Sequence, residues 1–128
     1  MSSVISVIDD DASVRTATDN LLSSHGYIVY TFASAEEFLQ SARLRDTSCV
    51  VSDVQMPGMS GLDLLSHMRV QGYNVPFIII TAFSKERIDS HALAAGAVCS
   101  LAKPFSASSL IKCVETALRR PDSGDQKG

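Results

Sequence analysis

No apolar run in this chain approaches the roughly 20 residues that a membrane-crossing helix needs. The start, Met1-Ser2-Ser3-Val4, lacks the basic cluster and long apolar stretch of a secretory signal. Cysteine is scarce: Cys49, Cys99 and Cys113 are odd in number, scattered, and form no Cys-x-x-Cys pair. No histidine stands at ligand spacing from them, so a zinc site is not expected and structural thiols are. His25, His67 and His91 are isolated and read as solvated helix residues. A strong charge of either sign is missing too. With a net charge of −3, the chain offers no basic surface for gripping DNA. The expectation is a cytoplasmic domain that meets neither membrane nor nucleic acid directly.

What the chain does have is a regular alternation. Its 128 residues, 45% of them apolar, suit one domain. Residues 1–120 carry the pattern; 121–128, polar with Gly, read as a tail or the start of a linker to an output domain. Five β-rich runs occur at 4–8, 27–32, 49–52, 77–81 and 97–101. Between them lie stretches with helical spacing. The first, 12–24, places Val14, Ala17, Leu21 and Leu22 on one stripe and stops at His25-Gly26. The second opens at Ser34 with Glu37 three residues on, a capping-box spacing, and carries Ala35, Phe38, Leu39 and Ala42 on its apolar face. The third follows Ser60, the fourth spans 84–96, and the fifth begins near Ser106.

Strand and helix in turn, five times, predicts an α/β fold: a doubly wound (βα)5 domain with one five-stranded parallel sheet. Ligands of such sheets gather at the carboxyl ends of the strands. The residues there are Asp9, Asp10 and Asp11 after the first strand, Asp53 after the third, Thr81-Ala82 after the fourth and Lys103-Pro104 after the fifth. Each has an ordinary explanation alone: an acid capping a helix, a loop acid, a β-former, a surface lysine. Together they put several carboxylates, a hydroxyl and an ammonium at one rim. Carboxylates within about 4–6 Å of one another raise a pKa or call for a cation, and hard oxygen ligands in an open site suit Mg²⁺. Asp11 is left for the helix start, where a negative charge is favoured. Asp53 is then a candidate nucleophile toward phosphorus, with Lys103 and Thr81 to hold phosphoryl oxygens.

These residues resemble the receiver domain of two-component response regulators over essentially the whole length. The matching pieces are VIDDD at 7–11, VSDVQMPGMSGL at 51–62, ITA at 80–82 and AKPF at 102–105. SAEEF at 34–38 with the KPF ending is most similar to regulators whose output is a helix-turn-helix domain. The resemblance implies a flavodoxin-like fold and makes Asp53 the phosphoacceptor. It implies that Asp10 binds Mg²⁺ directly, Asp9 through water and Gln55 by its backbone carbonyl. It further implies that Lys103 pairs with the phosphoryl group before a cis proline bond, and that Thr81 and the Ala82 amide contact phosphoryl oxygens. A histidine kinase is the implied donor, and an output domain or a homodimer the implied target of a helix 4/strand 5/helix 5 surface.

Ser100 departs from the family, which has an aromatic side chain there to follow the threonine inward. The loop after Thr81, with Phe83, is the alternative route, and a bulky Phe83 is expected to hinder water and prolong the phosphoryl state. Two other readings compete. A Mg²⁺-dependent phosphohydrolase with an aspartyl nucleophile needs a second acid two residues on, and Gln55 stands there. A degenerate receiver that only binds a partner has no use for Asp10, Asp53 and Lys103 together.

Overall fold

The computed structural model describes residues 3–82 and 96–119. Phe83, His91, the expected helix before Gly96 and the expected tail therefore lie outside the described residues. Five strands, β1 (Val4–Ile8), β2 (Ile28–Phe32), β3 (Cys49–Asp53), β4 (Phe77–Thr81) and β5 (Cys99–Ala102), form one sheet in the order β2-β1-β3-β4-β5. Every neighbouring pair is parallel. Helices α1 (Ala12–Ser24), α2 (Ala35–Leu39), α3 (Gly61–Val70) and α4 (Ala107–Arg119) flank it, with a 3-10 turn at Ala42–Leu44. The chain runs outward from β1 to β2, then crosses back over β1 to reach β3. That reversal opens a crevice between β1 and β3, where Asp9 and Asp53 leave the sheet.

The apolar runs are unbroken because the inner strands are covered on both faces. Val50, Phe77 and Ile79 pack with Phe38, Leu64, Leu65 and Met68 on one side. Cys49, Val51, Ile78 and Ile80 pack with Leu22, Leu110 and Val114 on the other. At the outer margin, β2 leaves Ile28 and Tyr30 exposed, and Arg43 lies 4.9 Å over the Tyr30 ring while pairing with Asp46 at 3.0 Å. None of the helices described is long and apolar enough to cross a membrane.

Local chemistry sets the element ends. Asp11 caps α1 by accepting from the amides of Ser13 and Val14, and Gly26 takes the left-handed φ of +91° just past His25. Ser34 accepts from the Glu37 amide, as the spacing predicts, but Glu37 reaches back to Ala33 rather than to Ser34. The second helix is shorter than expected. It ends at Leu39 because Ser41 starts a new turn by accepting from Arg43, which leaves Ala42 exposed and off the apolar face. On α1, Thr18 is buried in place of Ala17, which faces an open groove beside Pro104 and Phe105. The last strand begins two residues later than its apolar run, at Cys99.

None of the three cysteines is joined in a disulfide, and Cys49 is fully buried beneath α4, where burial pushes its pKa up to about 12. Since thiolate is the reactive form, Cys49 should react with maleimide more than about 10²-fold slower than an ordinary exposed thiol. Labelling of the native protein followed by peptide mass mapping checks this; denaturation should abolish the protection.

Candidate functional site

The three consecutive acids after β1 do three different things. Asp9 continues the sheet through its amide, which donates to Phe32 O at 3.1 Å, and the residue is 2% exposed. Its Oδ1 accepts from the Asp11 amide at 2.9 Å and its Oδ2 from Lys103 Nζ at 3.2 Å. Asp10 is exposed, and Asp11 is spent on the helix cap. From one turn into α1, Arg15 Nη1 donates to the Asp9 carbonyl at 2.7 Å and pins the turn.

Asp53 is the last residue of β3 and only 6% exposed. The Val54 amide donates to Ile80 O and the Lys103 amide to Thr81 O, both at 2.8 Å. The backbone itself therefore carries β3, β4 and β5 to a common rim. The Lys103 ammonium straddles Asp9 and Asp53, at 3.2 and 3.4 Å. Lys103-Pro104 is a cis bond, as the resemblance implies. Thr81 is fully buried at the end of β4, and Ala82 follows it exposed. Gln55 lines a cavity of about 480 Å³ with Asp10, Met56 and Pro57, just outside the acids.

Carboxylate oxygens of Asp9, Asp10 and Asp53 lie within 4.8 Å of one another. Burial pushes the Asp53 carboxyl above its ordinary value, and Asp9 pushes it further; Lys103 and the Gln55 amide pull the other way without prevailing. Burial alone lowers the Lys103 ammonium, but Asp53 and Asp9 outweigh it and the net shift is upward. Three carboxylates against one ammonium leave two negative charges uncompensated when all are ionised. A small divalent cation with a preference for oxygen fits that deficit and that donor set. The cluster can hold a metal ion.

The loop between β3 and α3 closes over this rim. The Gly61 amide donates to Val54 O at 3.0 Å, and Ser60 and Asp63 form a reciprocal capping box. A Cβ on Gly61 would overlap the Asp53 carbonyl oxygen, so only glycine fits there. Toward its far end, the Met59 amide donates 3.1 Å to Glu36 Oε2, a side chain from α2.

A family model of the response regulator receiver domain matches residues 5–115. The chain belongs to the response regulator receiver family. Among its relatives, the transcriptional regulatory protein FixJ of Bradyrhizobium diazoefficiens is 39% identical over 118 residues, 92% of this chain and 58% of that protein. The response regulator protein TodT of Pseudomonas putida is 36% identical over 118 residues, covering 92% and 52%. This chain thus spans little more than half the length of either relative. The chemotaxis protein CheY4 of Vibrio cholerae, in a solved structure, superposes with a TM-score of 0.84 at 29% identity, over 92% of this chain and 100% of that one.

Apart from Asp11, which caps α1, the residues singled out at this receiver's strand ends meet the same rim. Asp9, Asp53 and Lys103 are in direct contact, Asp10 lies within reach of both acids, and Thr81, Ala82 and Gln55 border them. Ser100 is half-buried opposite Ile79, so no aromatic ring stands there. Sequence reasoning missed Arg15, Glu36 and the steric role of Gly61. The short span from strand end to Ser60 cap could have flagged Gly61. Arg15 reaches only six residues back, but to a backbone carbonyl that no residue type marks, and the partner of Glu36 is set by tertiary approach.

Proposed function

We propose that Asp53 accepts a phosphoryl group from a phosphohistidine on a histidine kinase, with Asp9, Asp10, Asp53 and the Gln55 carbonyl holding Mg²⁺. The observation that carries this reading is the Lys103 ammonium set between Asp9 and Asp53 at 3.2 and 3.4 Å. One Asp53 oxygen forms the O–P bond as the P–N bond breaks, and the departing imidazole keeps the electron pair and takes up a proton. Bound Mg²⁺ would supply charge stabilisation to the phosphoryl oxygens. Lys103 lowers the cost of ionising Asp53 beforehand and pairs with the phosphoryl group afterward. Both Asp9 oxygens are already engaged, by the Asp11 amide and Lys103, which favours Asp10 as the direct ligand and Asp9 as one acting through water.

Phosphorylation adds about −1.5 to −2 charges to a rim already rich in acids. Thr81 and the Ala82 amide contact the new oxygens, and the Lys103–Thr81 backbone bond ties that movement to β5. With Ser100 in place of an aromatic lever, this backbone link is the route by which β5 and α4 register the change. A few kcal/mol of differential interaction is enough to shift such a two-state surface. The targets are a homodimer or a helix-turn-helix output domain, within a cytoplasmic signalling pathway; the domain also catalyses loss of its own phosphoryl group.

Incubation with a small acyl phosphate and Mg²⁺ tests the reading. The expected result is a stable, alkali-labile phosphoryl group on the peptide carrying Asp53, abolished by a chelator. Sustained phosphate release without label would mean a phosphohydrolase, and neither outcome a partner-binding domain without phosphotransfer.

A further inference from the structure

The seven residues between Asp53 and Gly61 have to leave a buried strand, pass the acids and enter α3. Their two ends are fixed. Val54 O receives the Gly61 amide, Met56 is buried, and Ser60 is locked in the capping box. The middle has no such support from the core: Gln55, Pro57 and Gly58 are exposed. Pro57 has no amide to donate, and Gly58 turns the chain with φ +79°. The Met59 amide is held from outside the loop, by Glu36, 23 residues away in sequence. The same carboxylate presses against the turn so closely that a Cβ on Gly58 would lie 2.8 Å from Glu36 Oε2.

Glu36 is itself a fixed post. Ala35 and Phe38 on either side of it are fully buried, and Phe32 meets the Phe38 ring edge-on at 5.3 Å. Ser34 and Glu37 secure the first turn through their hydrogen bonds to Glu37 N and Ala33 N. A backbone amide bound to an ionised carboxylate is among the stronger neutral-to-charged hydrogen bonds.

We infer that Glu36 is a positioning residue for the cation site, holding the 57–59 turn so that Gln55 stays at the rim beside Asp10. This rests on the proposed Mg²⁺ site. Groups that orient metal ligands from behind commonly change affinity by about 10–100-fold when removed.

Mg²⁺ titration of the whole chain, with thermal melts and amide exchange at Met59, tests the inference in wild type, Glu36→Ala, Glu36→Gln and Gly58→Ala. Glu36→Ala should weaken Mg²⁺ binding roughly tenfold and speed Met59 exchange even in the absence of metal. Glu36→Gln keeps an oxygen acceptor and should stay within about threefold of wild type. Gly58→Ala should weaken Mg²⁺ binding like Glu36→Ala and melt earlier than it, because the new methyl drives the carboxylate off and alanine is strained at φ +79°. A Glu36→Ala protein that melts earlier but binds Mg²⁺ like wild type overturns the inference and leaves the site intact. Wild type that binds no Mg²⁺ removes the site and the inference together.

Discussion

Asp53→Asn should take up no phosphoryl group, and at pH 7 without divalent cations it should melt at a higher temperature than wild type. The first half follows because an amide has no nucleophilic carboxylate oxygen to offer. The second follows from the raised Asp53 pKa, which burial and Asp9 impose. A raised carboxyl binds its proton more tightly folded than unfolded. Wild type therefore loses stability as pH climbs from about 4, the unfolded value, through the folded one. Asparagine does not titrate, so its advantage grows across that window, persists at neutral pH and vanishes below about pH 4. The advantage is read as a higher Tm for the variant, each 1 kcal/mol being worth about 2–8 °C in a domain of this size. Saturating Mg²⁺ should reverse the order, since a ligand at 100 times its Kd stabilises by about 2.7 kcal/mol and asparagine holds it less well. Melts at pH 4 and 7, with and without Mg²⁺, contain the whole test. A lower Tm for Asp53→Asn at pH 7 without metal would contradict the electrostatic account.

Gly61→Ala should be the most damaging single methyl addition on this face. The position has ordinary negative φ, so the conflict is one of space: the new carbon falls on the Asp53 carbonyl oxygen and 3.0 Å from Ser52 Oγ. Neither is a flexible side-chain end that could swing away, because Asp53 is paired into β3 and Ser52 is buried. The start of α3 must retreat, which breaks the Gly61–Val54 hydrogen bond. Overpacking and a lost buried hydrogen bond together cost roughly 2–4 kcal/mol. Because the displaced carbonyl belongs to Asp53, labelling by an acyl phosphate should slow in the fraction that remains folded. Gly72→Ala is the control. Its φ is +92° with nothing within 4 Å, so about 1 kcal/mol of backbone strain is expected and labelling should be unchanged. Urea unfolding read alongside labelling separates the two variants.

The parts of this fold that can be read from the residues are those where one strong signal dominates. β1, β3 and β4 are apolar on both faces, and no competing pattern fits Phe77-Ile78-Ile79-Ile80. Acids that end such strands in a parallel sheet have to share a rim, so Asp9, Asp10, Asp53 and Lys103 could be brought together before any coordinates existed. The legible parts end where short-range chemistry competes. Gln40 and Ser41 are compatible with more helix, yet the Ser41 hydroxyl captures Arg43 and closes α2 early. At Ala97-Val98, apolar character says strand while the ladder with β4 begins at Cys99. That Asp9 is buried and engaged while Asp10 stands open is decided by Lys103 arriving from β5, 94 residues on. Glu36 lies furthest from legibility, since its partner is a backbone amide that every sequence possesses.

The arginine over Tyr30 has a bearing on how copies of this molecule meet. A sheet margin with free peptide groups invites another margin to zip onto it, and runaway stacking begins that way. A second copy pairing onto β2 would have to pass the Arg43 guanidinium, held there by Tyr30 and Asp46, and strip water from that charged pair. Strand-to-strand pairing is discouraged on that flank by side chains that cost the interior nothing.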